Sequence, residues 1–335
     1  MGVPQPPTDW GVSLWLDGLE HDHLADGDFA RLVVDRRITG TTTTPATWRA
    51  AAAHGAVRPG DMRREEPGPG DPAEVLRGLV AADIRQACDY LRPVFDATGG
   101  GDGYASIDVD PKCADDAVGT LADARRLVRL IDRPNLLVGI PATDDGLEAL
   151  TGCLAEGIGV NVTMIVGLRR YAGVVDAYMD GLETLRLAGG NLRSVTSVAS
   201  IVVSRVVASA RLVRGLYGQS LLLPRWLPLV AAGARPQRLL WAPEAAAGPP
   251  LRVSARLHAL AFRDVVMAVS HSELEELART DAIQRGWLSE EPGGLEPTDG
   301  TTADVTGLQT DVELERDAVR SRIAAWRSAV ATVGR

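Results

Sequence analysis

Lys112 is the only lysine among the 35 basic residues of this 335-residue chain. Chemistry that runs through an imine needs a lysine amine, and an always-charged arginine cannot supply it. Lys112 follows Asp110-Pro111, beyond a strand-like run and on the way into a helix-like one. Other chemistry-bearing groups are scattered. Asp144-Asp145-Gly146-Leu147-Glu148 has the look of an acidic metal motif for diphosphates. It also opens a helix-like segment, where capping and the helix dipole favour acids in any case. His21-Asp22-His23 has ligand types for a metal, but its polar setting reads as a solvated turn. His54, His258 and His271 show no spacing of nucleophile to base. Gly99-Gly100-Gly101-Asp102-Gly103 precedes a strand instead of opening a helix, so it reads as a flexible turn and not as a dinucleotide loop. Cys88, Cys113 and Cys153 are odd in number and widely spaced. They suggest neither a disulfide framework nor a zinc site, and fit a reducing cytoplasm.

The elements that must position such groups alternate. Short apolar or β-branched runs occur at 13–16, 40–43, 104–109, 136–140, 159–165, 195–203, 238–241 and 264–269. Amphipathic helical patterns lie between them, at 72–91, 114–131, 143–156 and 174–188. Eight strands with intervening helices predict an α/β fold, a (β/α)8 TIM barrel, with an open doubly wound sheet as the competing arrangement. One barrel domain over 1–335 is expected. Residues 290–307, rich in Gly, Pro, Thr and acids, read as a mobile loop. Residues 308–333 read as a C-terminal helix with Ala324, Ala325, Trp326 and Val330 on its apolar side.

Composition narrows the function classes. The net charge of −9 and the lack of any extended basic run argue against nucleic-acid binding. No apolar stretch approaches the roughly 20 residues of a membrane span. The longest candidate, 221–232, is interrupted by Pro224, Arg225 and Pro228. The first residues lack the basic-then-apolar pattern of a secretion signal.

Several motifs, in order, carry a family resemblance. Ser13-Leu14-Trp15-Leu16-Asp17 matches S-x-W-L-D, and Gly40-Thr41-Thr42-Thr43-Thr44-Pro45 matches G-x-T-T-N-P. Ser106-Ile107-Asp108-Val109-Asp110-Pro111 matches S-x-E-V-D-P. Asn135-Leu136-Leu137-Val138-Gly139-Ile140-Pro141-Ala142-Thr143 matches N-L-x-x-K-I-P-A-T. Further matches run from Gly157 to Thr163, from Ser197 to Val206 and from Ala232 to Ala242. Over most of its length the chain resembles the long-form bacterial transaldolases. The departures are as specific. The Schiff-base lysine is Gly139, the asparagine of T-T-N-P is Thr44, and the glutamate of E-V-D-P is Asp108. The basic residue expected after the seventh strand is absent from Trp241-Ala242-Pro243-Glu244-Ala245.

The resemblance implies an acid–base Asp17, with Asn161 and Thr163 around the reacting carbon, and Ser200 and Arg205 on a substrate phosphate. Asp108 would be a second catalytic carboxylate. Thr44, Gly139 and Val202 would shape the pocket. Removing a lysine from between Asp17 and Asp108 leaves two carboxylates in want of a cation, which a Mg2+ ion held by both would supply. The expected activity is therefore a lysine-independent lyase or cyclase of specialised metabolism, acting on a phosphorylated or diphosphorylated small molecule. A metal-dependent cyclase of an allylic (prenyl) diphosphate and a non-catalytic binding protein are the alternatives.

Overall fold

The computed structural model describes residues 11–55, 71–202, 207–243, 253–262, 264–279 and 306–334. Eight parallel strands close into a barrel in the order β1 to β8. They are β1 Val12–Asp17, β2 Gly40–Thr42, β3 Tyr104–Asp108, β4 Leu136–Pro141, β5 Val160–Ile165, β6 Ser197–Val202, β7 Arg238–Ala242 and β8 Val265–Val269. Each stands within a residue or two of the run that predicted it, and closure settles the fold as a (β/α)8 barrel. The helices are α1 His21–Ala25, α2 Asp28–Val34, α3 Pro45–Gly55, α4 Pro72–Ala97, α5 Ala117–Ile131, α6 Asp144–Ala155 and α7 Leu168–Leu187. They continue with α8 Val207–Ser220, α9 Trp226–Ala231, α10 Val253–Leu260, α11 His271–Arg279 and α12 Thr306–Val333.

The helices pack as their periodicity requires. α4 buries Leu76, Val80, Ile84, Ala87 and Leu91, spaced by three and four residues on one stripe. That stripe meets the outward side chains of the strands, which are covered on both faces as in parallel sheets generally. α4 runs on past Leu91 through Pro93 to Ala97, beyond the range read from the sequence. His21-Asp22-His23 is a short helix and not a turn, and His21 Nδ1 lies 2.8 Å from Asp83.

The barrel interior forms its own cluster of Trp15, Tyr104, Leu137, Val198, Leu240, Val266 and Ala268. Trp15 lies across β2, where a Cβ on Gly40 would fall 2.5 Å from the indole. Only glycine fits there. At the N-terminal ends of the strands Asp102 accepts from Trp15 Nε1 at 3.0 Å and from Ser13, with Arg238 at 3.6 Å. Arg238 also donates to the Gly101 and Asp264 carbonyls, and Arg235 to those of Gly99 and Gly100. The Gly99–Gly103 turn is thus clamped, and the Arg235/Arg238 motif serves the floor of the barrel. In this architecture that end carries stability, and the opposite end carries chemistry.

Residues 290–305 of the expected loop lie outside the described residues. α12 packs over α3 and α4 and reaches the end of β5. Three of the four residues expected on its inward side face inward: Trp326 is buried, and Ala325 and Val330 pack half-buried against the core. Ala324 is exposed, and Val319 and Ala329 are also buried. No helix among the described residues is long and apolar enough to cross a membrane.

Candidate active site

Asp17 and Asp108 stand at the C-terminal ends of β1 and β3, Gly139, Thr163 and Ser200 in the C-terminal halves of β4, β5 and β6, and Asn161 near the start of β5. Register aligns Asp108 with Gly139 and Gly139 with Asn161 across three neighbouring strands. Asn161 sits inside: its amide donates to Ser106 Oγ on β3 at 3.0 Å, across the intervening β4. Its carbonyl oxygen accepts from Ser200 Oγ at 2.6 Å. Ser106, Asn161 and Ser200 are all buried, so the bonds satisfy polar groups that would otherwise be costly. Ser106 escaped the sequence analysis as a site residue, although it stands two residues before Asp108 on the same strand face.

Asp17 ends β1 half-buried and accepts from Thr42 Oγ1 at 2.8 Å. Thr163 stands where the pairing of β5 with β6 slips, and Met164 beside it has φ of +61°. Such a backbone is rare for a residue with a side chain, and conformations of this kind gather at functional sites. Thr44 does different work from that expected. Its Oγ1 accepts from Ala46 N–H at 3.2 Å at the start of α3, and it does not line the site cavity. Val202 ends β6 half-buried, also away from that cavity. Arg205 lies outside the described residues.

The space beside Gly139 is not empty. A Cβ built on Gly139 would lie 2.1 Å from Asp108 Oδ1. The Asp108 carboxylate has leaned into the volume that a side chain at 139 would take. There it is paired with Arg322, which α12 brings from the far end of the chain. Burial pushes the Asp108 carboxyl up, and the charge and hydrogen bond of Arg322 pull it back only in part. The cation beside Asp108 is therefore an arginine of this same chain. Among the described residues, no group of three or more His, Cys, Asp or Glu side chains is arranged to hold a metal. The Asp144-Asp145 run opens α6, where Thr143 caps Gly146 N–H at 2.9 Å and Asp144 meets Arg170 at 2.6 Å.

α12 is fixed over this site at several points. Glu315 accepts from one edge of the Arg170 guanidinium, Nε at 2.9 Å and Nη2 at 3.1 Å. Val319 packs with Ala114 and Met164. Trp326 meets Trp48 edge-on at 5.3 Å, with Arg77 5.8 Å from its ring. Glu315, Val319, Arg322 and Trp326 are spaced by four, three and four residues, which places them on one helix face. Beneath that face remains a cavity with only about 10 Å3 open to water, lined by Trp48, Asp108, Gly139, Thr163, Val319 and Arg322 among others.

Comparison with known proteins agrees with the barrel and its motifs. Residues 14–219 match the family model of transaldolase/fructose-6-phosphate aldolase. A transaldolase of Acidothermus cellulolyticus is 40% identical over 354 aligned positions, which cover 97% of this chain and 94% of that protein. Transaldolases of Frankia alni and Thermobifida fusca are each 42% identical, over 72% and 75% of this chain and 71% and 75% of their own. With the closed barrel, the ordered motifs and these likenesses in agreement, the chain belongs to the transaldolase family.

Proposed function

We propose that this chain is a transaldolase-family enzyme that works without an enzyme-bound imine, as a lyase or cyclase on a phosphorylated or diphosphorylated small molecule. The observation that carries the reading is the polar set kept around a missing nucleophile. Asp17, Asn161, Thr163 and Ser200 remain at the mouth, while Gly139 has no amine to offer. Asp17, held by Thr42, is the acid–base group. Asn161 and Thr163 orient the reacting part of the substrate, and Ser200 with Arg205 holds its phosphate. Because Arg322 already neutralises Asp108, the reaction needs no divalent ion to settle the charge of the site. This favours the metal-independent reading over a magnesium-dependent cyclase of a prenyl diphosphate. The small closed cavity favours one rival, a binding protein without turnover.

Calorimetry with fructose 6-phosphate and with a prenyl diphosphate, each with and without Mg2+, tests these readings, together with borohydride treatment of the mixtures. The expected result is saturable, Mg2+-independent binding that Arg205→Ala weakens, and no reduced adduct by mass spectrometry. Turnover, once a substrate is found, should fall on Asp17→Asn by about 100-fold or more. An adduct on Lys112 would overturn the imine-free reading. Absence of binding to every phosphate ester would transfer the assignment to the binding-protein reading.

A further inference from the structure

We infer that Arg322 is a second anion-recognition residue of this site, beside the proposed Ser200–Arg205 grip, a guanidinium that α12 carries across the barrel mouth and that exchanges Asp108 for a phosphate of the bound molecule. The inference rests on the reading above that the site takes a phosphate ester, and it adds a second group that recognises it.

Four observations carry it. First, the pairing depends on Gly139, since a Cβ there would fall 2.1 Å from Asp108 Oδ1. The missing lysine and the arriving arginine are therefore two sides of one rearrangement. Second, the guanidinium is only partly used. Nη1 contacts Asp108, and among the described residues the Nε–Nη2 edge has no protein partner. A guanidinium fork with one edge open matches the geometry of phosphate oxygens. Third, Arg322 is reachable, at 23% side-chain exposure against 7% for Asp108. It also shares the lining of the mouth cavity with Thr163 and Gly139. Fourth, its approach is set in advance. Glu315 with Arg170 on one side and Trp326 with Trp48 on the other pin the helix, so little ordering remains to be done when an anion arrives.

The exchange balances in charge. A phosphate monoester carries more negative charge than a carboxylate and accepts two parallel hydrogen bonds from the fork. When Arg322 turns to it, the Asp108 carboxylate is left buried beside Gly139. Burial already inclines that carboxyl to hold a proton, which it takes from solvent. An amide at 108 reproduces this neutral state and frees Arg322 in advance.

The test measures binding of inorganic phosphate and of fructose 6-phosphate to the full chain and to Arg322→Ala, Arg322→Lys and Asp108→Asn, with folding checked by circular dichroism. Arg322→Ala should weaken both ligands by about tenfold or more, and Arg322→Lys by less, since it keeps the charge but not the fork. Asp108→Asn should tighten both severalfold, a gain that a merely structural ion pair would not give. If the wild type binds but Arg322→Ala binds equally well, or Asp108→Asn fails to tighten, the inference fails and the phosphate-ester reading survives. If Arg322→Ala does not fold, the Asp108→Asn and Arg322→Lys arms decide. If no form of the protein binds either ligand, both the inference and the phosphate-ester reading are overturned.

Discussion

Adding a single methyl group at Gly139 tests whether the carboxylate of Asp108 truly fills the lysine volume. In Gly139→Ala the new Cβ would lie 2.1 Å from Asp108 Oδ1 and 3.1 Å from its Cγ and Cα. The first distance is impossible, so the carboxylate must rotate, which disturbs the contact its Oδ2 makes with Arg322. Parting a buried ion pair costs about 3–5 kcal/mol when one charge is left uncompensated. The pair here is partly open on the arginine side, so about 2–3 kcal/mol is the better figure, close to that of a charged hydrogen bond. Gly→Ala returns about 0.4–1 kcal/mol through the unfolded chain. The net loss should be about 1–3 kcal/mol, read as a lower urea midpoint with an unchanged slope. In an Asp108→Ala background the colliding atoms are gone, and the same methyl should cost less than about 1 kcal/mol. Urea unfolding of the four proteins of this cycle yields the coupling directly. Effects that add to within about 0.5 kcal/mol would refute the reasoning, because they would mean that nothing from Asp108 stands where the lysine side chain would begin.

Two further outcomes follow from burial. Without Arg322, Asp108 keeps the burial that raises its pKa and loses the charge that lowers it. The folded state then holds the proton more tightly than the unfolded chain, so the ionised carboxylate costs stability above the folded pKa and the cost fades as pH falls through it. The melting-temperature gap between wild type and Arg322→Ala should therefore narrow as the pH is lowered from about 8 into the acid range; a constant or growing gap would contradict this. Thiol reactivity is a second test. Cys88 and Cys153 are buried and pushed up to about 12, whereas Cys113 is half-buried. A disulfide-exchange reagent at about pH 8 should titrate Cys113 alone in the native protein and all three thiols after unfolding; rapid native labelling of Cys88 or Cys153 would show that the outer layer of the barrel is looser than its packing implies.

The strands were legible because a strand buried on both faces has to be a short apolar run, and eight such runs separated by helical patterns admit few folds. α4 was legible for a similar reason, as its buried stripe recurs every three or four residues. The short helices α1, α2 and α9 were not. Five to seven residues carry too little periodicity to be told from a polar turn, and their helicity comes from packing. The contact of the Thr44 hydroxyl with the start of α3 was not legible, because a hydroxyl at a helix start and a hydroxyl in a pocket look alike until the chain direction is known.

The sequence by itself determined the barrel and the family, since both depend on residue types in local order. It also raised the expectation that Asp108 would sit beside a cation, because charge balance can be argued without coordinates. Which cation answers was decided only by the tertiary structure. Arg322 stands 214 positions from Asp108. Nothing local marks it among so many arginines. The pairing exists because α12 crosses the mouth with Glu315, Val319, Arg322 and Trp326 facing inward, and because a glycine on β4 leaves Asp108 room to meet it. Long-range contacts of this kind are fixed by how elements pack against one another, and the one-dimensional pattern of the chain carries no direct record of them.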